Sequence, residues 1–137
     1  MAEEIIKFID ANVFLEVFLL DKNWEGAAEF LKKVSEEVIT CFTSDFIIYS
    51  ILLQIQNKTR NKESMKAFIT FLDNMKGLKI ARFTPEILMT AINYMETYKL
   101  DFDDSVQLSF MDSFGLTEIV SFDKDFDHIN WIKRIEP

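Results

Sequence analysis

Residues 5–14 read IIKFIDANVF: a short apolar run closed by Asp10, with the neutral polar Asn12 two places on. The run 5–9 carries Phe8 and β-branched isoleucines and is shorter than a typical helix, so it predicts a buried strand. Asp10 then stands at, or just past, the carboxyl end of that strand. In open α/β sheets this is the end where ligand clefts form. The reading of the remaining chain turns on whether other carboxylates arrive at the same edge.

Outward from this stretch, strand-like and helix-like segments alternate. Residues 12–20 are strongly apolar and read as a short buried helix, which 21–23 break before a second helix over 24–35. A β-rich run at 38–42 predicts the second strand. Thr43-Ser44-Asp45 supplies a helix cap, and 46–56 are apolar nearly all round, as for a helix packed on more than one side. The polar, basic run 58–66 (KTRNKESMK) interrupts the pattern. A helix over 65–75 follows, with Phe68, Ile69, Phe71, Leu72 and Met75 as its expected buried residues. Residues 78–83 (LKIARF) alternate like a strand, and Thr84-Pro85-Glu86 pairs a capping residue with proline at the first helical position. Asp101–104 open a further helix that runs to Phe114 and stops at Gly115; 118–122 (EIVSF) read as a strand, and 131–135 as an edge strand. Strands separated by helical stretches predict a three-layer α/β/α sandwich on a central parallel sheet.

Composition agrees with a packed core. Of 137 residues, 49% are hydrophobic and fourteen are Phe, which excludes a disordered chain. The length, with no repeat or linker, predicts one domain over 1–137. No apolar run reaches the roughly 18–20 residues of a membrane span. The acidic start MAEEIIKF lacks the basic n-region of a secretory signal, and the single Cys41, among apolar neighbours, reads as a core thiol. A cytoplasmic protein is the expectation. Fifteen basic against twenty-three acidic residues leave a formal charge of −8, the wrong sign for gripping nucleic acid by bulk charge. A nucleic-acid role therefore requires metal ions or a local basic patch, and Lys58, Arg60 and Lys62, with Lys66, form the densest one.

Two further acidic sites fall at element boundaries. Asp103 and Asp104 sit where a helix begins, and Asp123 follows EIVSF directly, with Asp125 and Asp127 next. Asp10, Asp104 and Asp123 would then meet at one end of one sheet. Oxygen-only sets of this kind suit Mg²⁺ or Mn²⁺, which activate water and steady charge on a phosphoryl group. Taken singly, each has a plainer role: Asp103 or Asp104 as a helix cap, Asp123 and Asp125 as turn residues. His128, the only histidine, has no Cys or Ser partner in a recognisable pattern, so triad and zinc chemistry lack support. No glycine-rich phosphate loop exists. A phospho-accepting receiver would need paired acids near the first strand and an Asp closing a central one, and neither is present. Trp24, Tyr94 and Tyr98 are candidates for a subunit interface.

FIDANVFLEVF near the start, FDDSVQLSFMDSFG late in the chain and the closing IVSFDKDF together resemble the PIN domain, in the small prokaryotic form found in VapC-type toxins. The likeness spans nearly the whole chain. It implies a parallel sheet between helices, a Mg²⁺- or Mn²⁺-dependent endoribonuclease, often a homodimer, and inhibition by a cognate antitoxin. Carried over by position, Asp10, Asp104 and Asp123 match the metal carboxylates. Asn12 matches the polar residue after the first of them, and Ser121 the hydroxyl residue before the last. The sequence departs from the family at one place. A Glu is usual in the third helix after a Thr-Ser start, and TSDFIIYSILLQ sets Ser50 there. Asp45 is a poor stand-in: five residues turn a helix by about 500°, about 140° off that face and ~7.5 Å along the axis. Gln54 shares the face of Ser50 and offers a neutral oxygen. Two functions follow, an endoribonuclease and a catalytically impaired RNA- or protein-binding module.

Overall fold

The computed structural model describes residues 5–137; the acidic opening, residues 1–4, lies outside the described residues. Five strands form one sheet: β1 (Lys7–Ile9), β2 (Cys41–Ser44), β3 (Leu78–Ala81), β4 (Glu118–Val120) and β5 (Lys133–Ile135). Their order is β3-β2-β1-β4-β5 and every pairing is parallel, with Phe8 opposite Phe42 on one side and Ile119 on the other. Six helices accompany them: α1 (Ala11–Phe18), α2 (Trp24–Ser35), α3 (Asp45–Thr59), α4 (Lys62–Asp73), α5 (Pro85–Tyr98) and α6 (Phe102–Ser113). The expected α/β sandwich, including the late edge strand, is what the chain adopts.

Topology determines where a cleft can open. The chain steps outward from β1 through β2 to β3, then returns across the sheet to place β4 on the other side of β1. Right-handed crossovers therefore put the outward-run helices on one face and α5 and α6 on the other. In keeping with this, α1 packs on α2 and α3, α3 on α4, and α5 along α6. Strands covered on both faces need apolar side chains at successive positions, and Phe8, Ile9, Ile119 and Val120 are all fully buried. The direction of stepping reverses between β1 and β4, so the two chains leave the sheet in opposite senses at their carboxyl ends.

Several boundaries differ from those expected, each for a local reason. The second strand starts at Cys41, three residues later than its β-rich run. Glu37 adopts a left-handed φ of 59°, and the N–H groups of Val38 and Glu37 bond Lys33 and Val34 carbonyls at 2.9 and 3.1 Å. That closes α2 in a Schellman motif without glycine, so Val38 belongs to a helix end and is exposed. Leu20 ends α1 in the same way, with Asp21 N–H donating to Glu16 O at 3.0 Å. Gly115, φ 69°, makes the third such end, where the sequence does signal it. The basic run holds a helix junction, shorter than the run itself: α3 continues to Thr59, Arg60 turns with φ 51°, and Asn61 caps α4 by accepting from Glu63 N–H at 2.9 Å. Lys, Gln and Glu are good helix formers, so only the Arg60-Asn61 pair is needed to turn the chain.

Of the residues expected to bury α4, Phe68 is fully buried, whereas Ile69 is exposed and Phe71 and Leu72 are half-buried; Met75 is buried beyond the helix end. Phe68 meets Phe14 and Phe18 edge-on at ring-centroid distances of 5.9 and 5.2 Å. It is the sole fully buried side chain of α4. Phe68→Ala should therefore destabilise the protein by about 3–5 kcal/mol, read by urea unfolding; a loss under about 1 kcal/mol would mean that α4 is held by other contacts.

Candidate metal centre

Where β1 and β4 diverge, the side chains just beyond their ends are stitched together. Asp10 is 5% exposed, and its Oδ2 accepts hydrogen bonds from Ser121 Oγ at 2.6 Å and Asn12 Nδ2 at 3.0 Å. Asn12 Nδ2 also donates to Ser121 Oγ at 3.1 Å, while Asn12 Oδ1 accepts from Phe122 N–H at 3.2 Å. Ser121 Oγ accepts in turn from Asp123 N–H at 2.9 Å. One amide and one hydroxyl thus tie the exit of β1 to the exit of β4. Asn12 and Ser121, expected as supporting residues, both hydrogen-bond Asp10.

The other carboxylates come from separate elements. Asp104 lies in the first turn of α6; the cap position is Asp101, whose side chain makes no cap hydrogen bond, so Asp104 is no cap either. Asp123 does take the plainer role in part, capping the 3-10 turn Lys124–His128 by accepting from Asp125 N–H at 2.9 Å. That turn brings Asp125 round beside it. Carboxylate oxygens of Asp104, Asp123 and Asp125 lie within 4.8 Å of one another. Asp10 stands outside this tightest group but lines the same cleft, of about 180 Å³, with Asn12, Ser50, Gln54, Asp103, Asp104, Gln107 and Asp123.

The helical arithmetic for α3 holds. Ser50 and Gln54 line the cleft, and Gln54 Nε2 donates to Ser50 Oγ at 3.3 Å. Asp45 does not: its carboxylate accepts from the N–H groups of Phe46 and Phe83 at 2.8 and 3.2 Å, in another cleft. Lys58, Arg60 and Lys62 are exposed at the far end of α3, about 12 Å along the axis from Ser50 to Lys58. The fold does not bring them to the carboxylates. His128 is exposed. Tyr94 and Tyr98 are engaged within the chain, Tyr94 donating to Asp112 and Tyr98 accepting from Trp131 Nε1 at 2.9 Å.

Two residues of the cleft escaped the sequence reading as ligand candidates. Asp125 was legible only as a turn residue, although Asp-x-Asp in a tight turn places both acids on one side. Gln107 follows Asp104 by three residues, hence about 60° round α6 and on the same face. It lines the cleft beside Asp10, and its Oε1, buried, has no hydrogen-bond partner.

Among the described residues, no Lys or Arg forms an ion pair with Asp10, Asp104, Asp123 or Asp125. Burial, with the charge of Asp123, pushes the Asp10 carboxyl up to about 6 against the hydrogen bonds that lower it, Ser121's first. Burial, then the charges of Asp123, Asp10 and Asp125, push Asp104 up to about 7. A cluster of oxygen donors from hard carboxylates, uncompensated by any cation and accompanied by a buried orphan carbonyl, fits a hard divalent ion and not a soft one.

The fold and site define a class: a doubly sided parallel α/β domain with an acidic cleft at its switch point. A model of the PIN domain matches residues 7–132, and the chain belongs to that family. The expected resemblance is met. Solved structures agree in fold. The VapC20 toxin of Mycobacterium tuberculosis, which cleaves the sarcin-ricin loop, superposes with TM-score 0.77 at 14% identity, over 96% of this chain and 99% of that one. A toxin–antitoxin complex from Klebsiella pneumoniae gives 0.69 at 16%, over 93% and 95%. VapBC2 of Rickettsia felis, bound to a DNA fragment from its promoter, gives 0.71 at 13%, over 96% and 98%. No curated protein matches the sequence at a significant level.

The raised carboxyls make a prediction for the metal-free protein. The folded Asp10 and Asp104 keep protons that the unfolded chain, with ordinary values of 3.8, has already released. Stability must then fall as pH rises from about 4 through 7. Asp127, lowered by its hydrogen bond to Arg134, acts in the opposite sense but below that window. In EDTA the melting temperature should drop between pH 5 and pH 8, and Asp104→Asn should flatten the drop; a melting temperature that climbs over that range would contradict the crowding of unpaired acids.

Proposed function

We propose that the protein is a Mg²⁺- or Mn²⁺-dependent endoribonuclease, the toxin of a toxin–antitoxin pair. The observation that carries this reading is the uncompensated convergence of Asp10, Asp104 and Asp123 on one cleft, with Asp125 beside the last two. Membership of the PIN family supports it, as do the toxins among the structural neighbours. Asp10, Asp104 and Asp123, joined by Asp125, would hold the ion. When bound, it lowers the pKa of water and stabilises charge building on the phosphodiester. The protein's own part is to keep the acids convergent. Asn12 and Ser121 fix Asp10 through Oδ2, the 3-10 turn fixes Asp123 and Asp125, and α6 delivers Asp104.

Substrate RNA would meet an acidic cleft, so its phosphates need the ion as a bridge, with Lys58, Arg60 and Lys62 contacting backbone away from the scissile bond. A basic antitoxin would complement the formal charge of −8. For a homodimer, the face to consider is the β3 edge. Tyr49, Ile80 and Phe83 are exposed there and share a cleft of about 540 Å³. Among the described residues, no helix is long and apolar enough to cross a membrane.

Ser50 favours a second reading. With a neutral Ser50–Gln54 pair where the family sets Glu, the site has one carboxylate fewer, as in a PIN fold kept for RNA or protein binding. Incubation of RNA with Mn²⁺ or Mg²⁺ tests both. Wild type should cleave, Asp10→Asn and Asp104→Asn should each lose more than about 100-fold, and Ser50→Glu should raise the rate. Cleavage that survives both asparagine substitutions would end the nuclease reading. Cleavage absent in wild type and gained in Ser50→Glu would favour the binding module.

A further inference from the structure

The cleft wall opposite the acids is neutral, yet its oxygens are not equivalent. Ser50 Oγ is occupied by Gln54 Nε2 at 3.3 Å, and Gln54 is only half-buried, open to water. Gln107 is 4% exposed and lines the cleft with Asp10, Asp104 and Asp123. Among the described residues that line this cleft, its Oε1 is the one buried side-chain oxygen without a hydrogen-bond partner. Buried carbonyls are rarely left so, because the lost hydration is not repaid. An amide oxygen is a hard, neutral donor, of the kind that divalent cations accept beside carboxylates.

Resting on the metal-dependent reading above, we propose that Gln107 Oε1 is a ligand of the ion and takes over, from α6, the place left by Ser50 in α3. The ion then has carboxylates and an amide oxygen in place of a further carboxylate. Asn12 and Ser121 already hold Asp10, which leaves the amide oxygen of Gln107 for the cation. The exchange lowers the negative charge of the empty cleft by one, which matters where Asp10 and Asp104 already crowd each other. It also lowers the electrostatic pull on the ion.

The test uses the full chain and Mn²⁺ alone, followed by calorimetric titration and by thermal melting with and without metal. Gln107→Leu, similar in volume, should bind Mn²⁺ at least about 10-fold more weakly than wild type. Without metal it should melt at a higher temperature, since the orphan oxygen is gone. Gln107→Glu should bind more tightly than wild type. The pair of variants separates a ligand from a side chain that only packs the cleft wall, because packing alone leaves Gln107→Leu at wild-type affinity. Wild-type affinity in Gln107→Leu, or weakened affinity in Gln107→Glu, would overturn the inference while Asp104→Asn still abolishes binding. If wild type itself takes up no Mn²⁺, the metal-dependent reading fails together with it.

Discussion

The Asp10 carboxylate is where the fold and its chemistry meet. Placed by β1 at the point where the sheet reverses its direction of winding, it is held from across the switch by Ser121 and from its own chain by Asn12. These bonds keep a buried acid in register with β4, and so with the turn that carries Asp123 and Asp125. What they do not supply is charge. A hydroxyl and an amide satisfy the lone pairs of a carboxylate without cancelling its field, so the pocket stays negative and the acids keep raising one another's affinity for protons. A protein that needed only structure here would set an Arg among them, as it does at Asp127, where Arg134 closes a two-point ion pair at 2.8 and 3.3 Å. Among the described residues, Asp10, Asp104, Asp123 and Asp125 have no such partner, and that contrast is what the proposed cation site rests on.

Much of this was legible in the sequence because it depends on period and position. The run that ends at Asp10, the Asp opening a helix and the Asp after EIVSF each mark the carboxyl edge of a parallel sheet, and the sheet obeys. The helical turn likewise separates Ser50, which faces the cleft, from Asp45, which does not. What stayed hidden was decided by backbone states without a residue signature. Glu37 and Leu20 end helices in a left-handed conformation normally marked by glycine, so the onset of β2 was displaced. The lysine-rich segment read as a break because polarity was taken for disorder of the pattern, whereas its helix formers run on to Arg60.

The same limits explain the site residues that were missed. Gln107 is uncharged and sits on a helix buried from Ser105 to Met111, so nothing in its residue type marks it. Its relevance comes from an absence, an oxygen without a donor, and hydrogen-bond accounting is possible only with coordinates. Asp125 was hidden for the opposite reason: a turn of alternating aspartates is common enough to be read as solvent-facing, and only the 3-10 geometry folds one acid back toward α6.

Seen through its charges, the molecule makes RNA binding conditional. A surface of net −8 repels phosphate, and the exposed basic residues at the far end of α3 lie too distant to neutralise the cleft. Divalent metal would invert that balance locally, converting the most repulsive spot on the protein into the one place where a phosphodiester is attracted. Repulsion elsewhere would then act as a filter, since an RNA that does not reach the ion would gain little beyond contacts with the basic residues near Lys58. On the proposed reading the acidity of the chain is compatible with nuclease function, because affinity would be concentrated at the reacting bond. Such a chain should depend on metal for binding as well as for chemistry, in contrast to basic nucleases, which hold RNA by their surface alone.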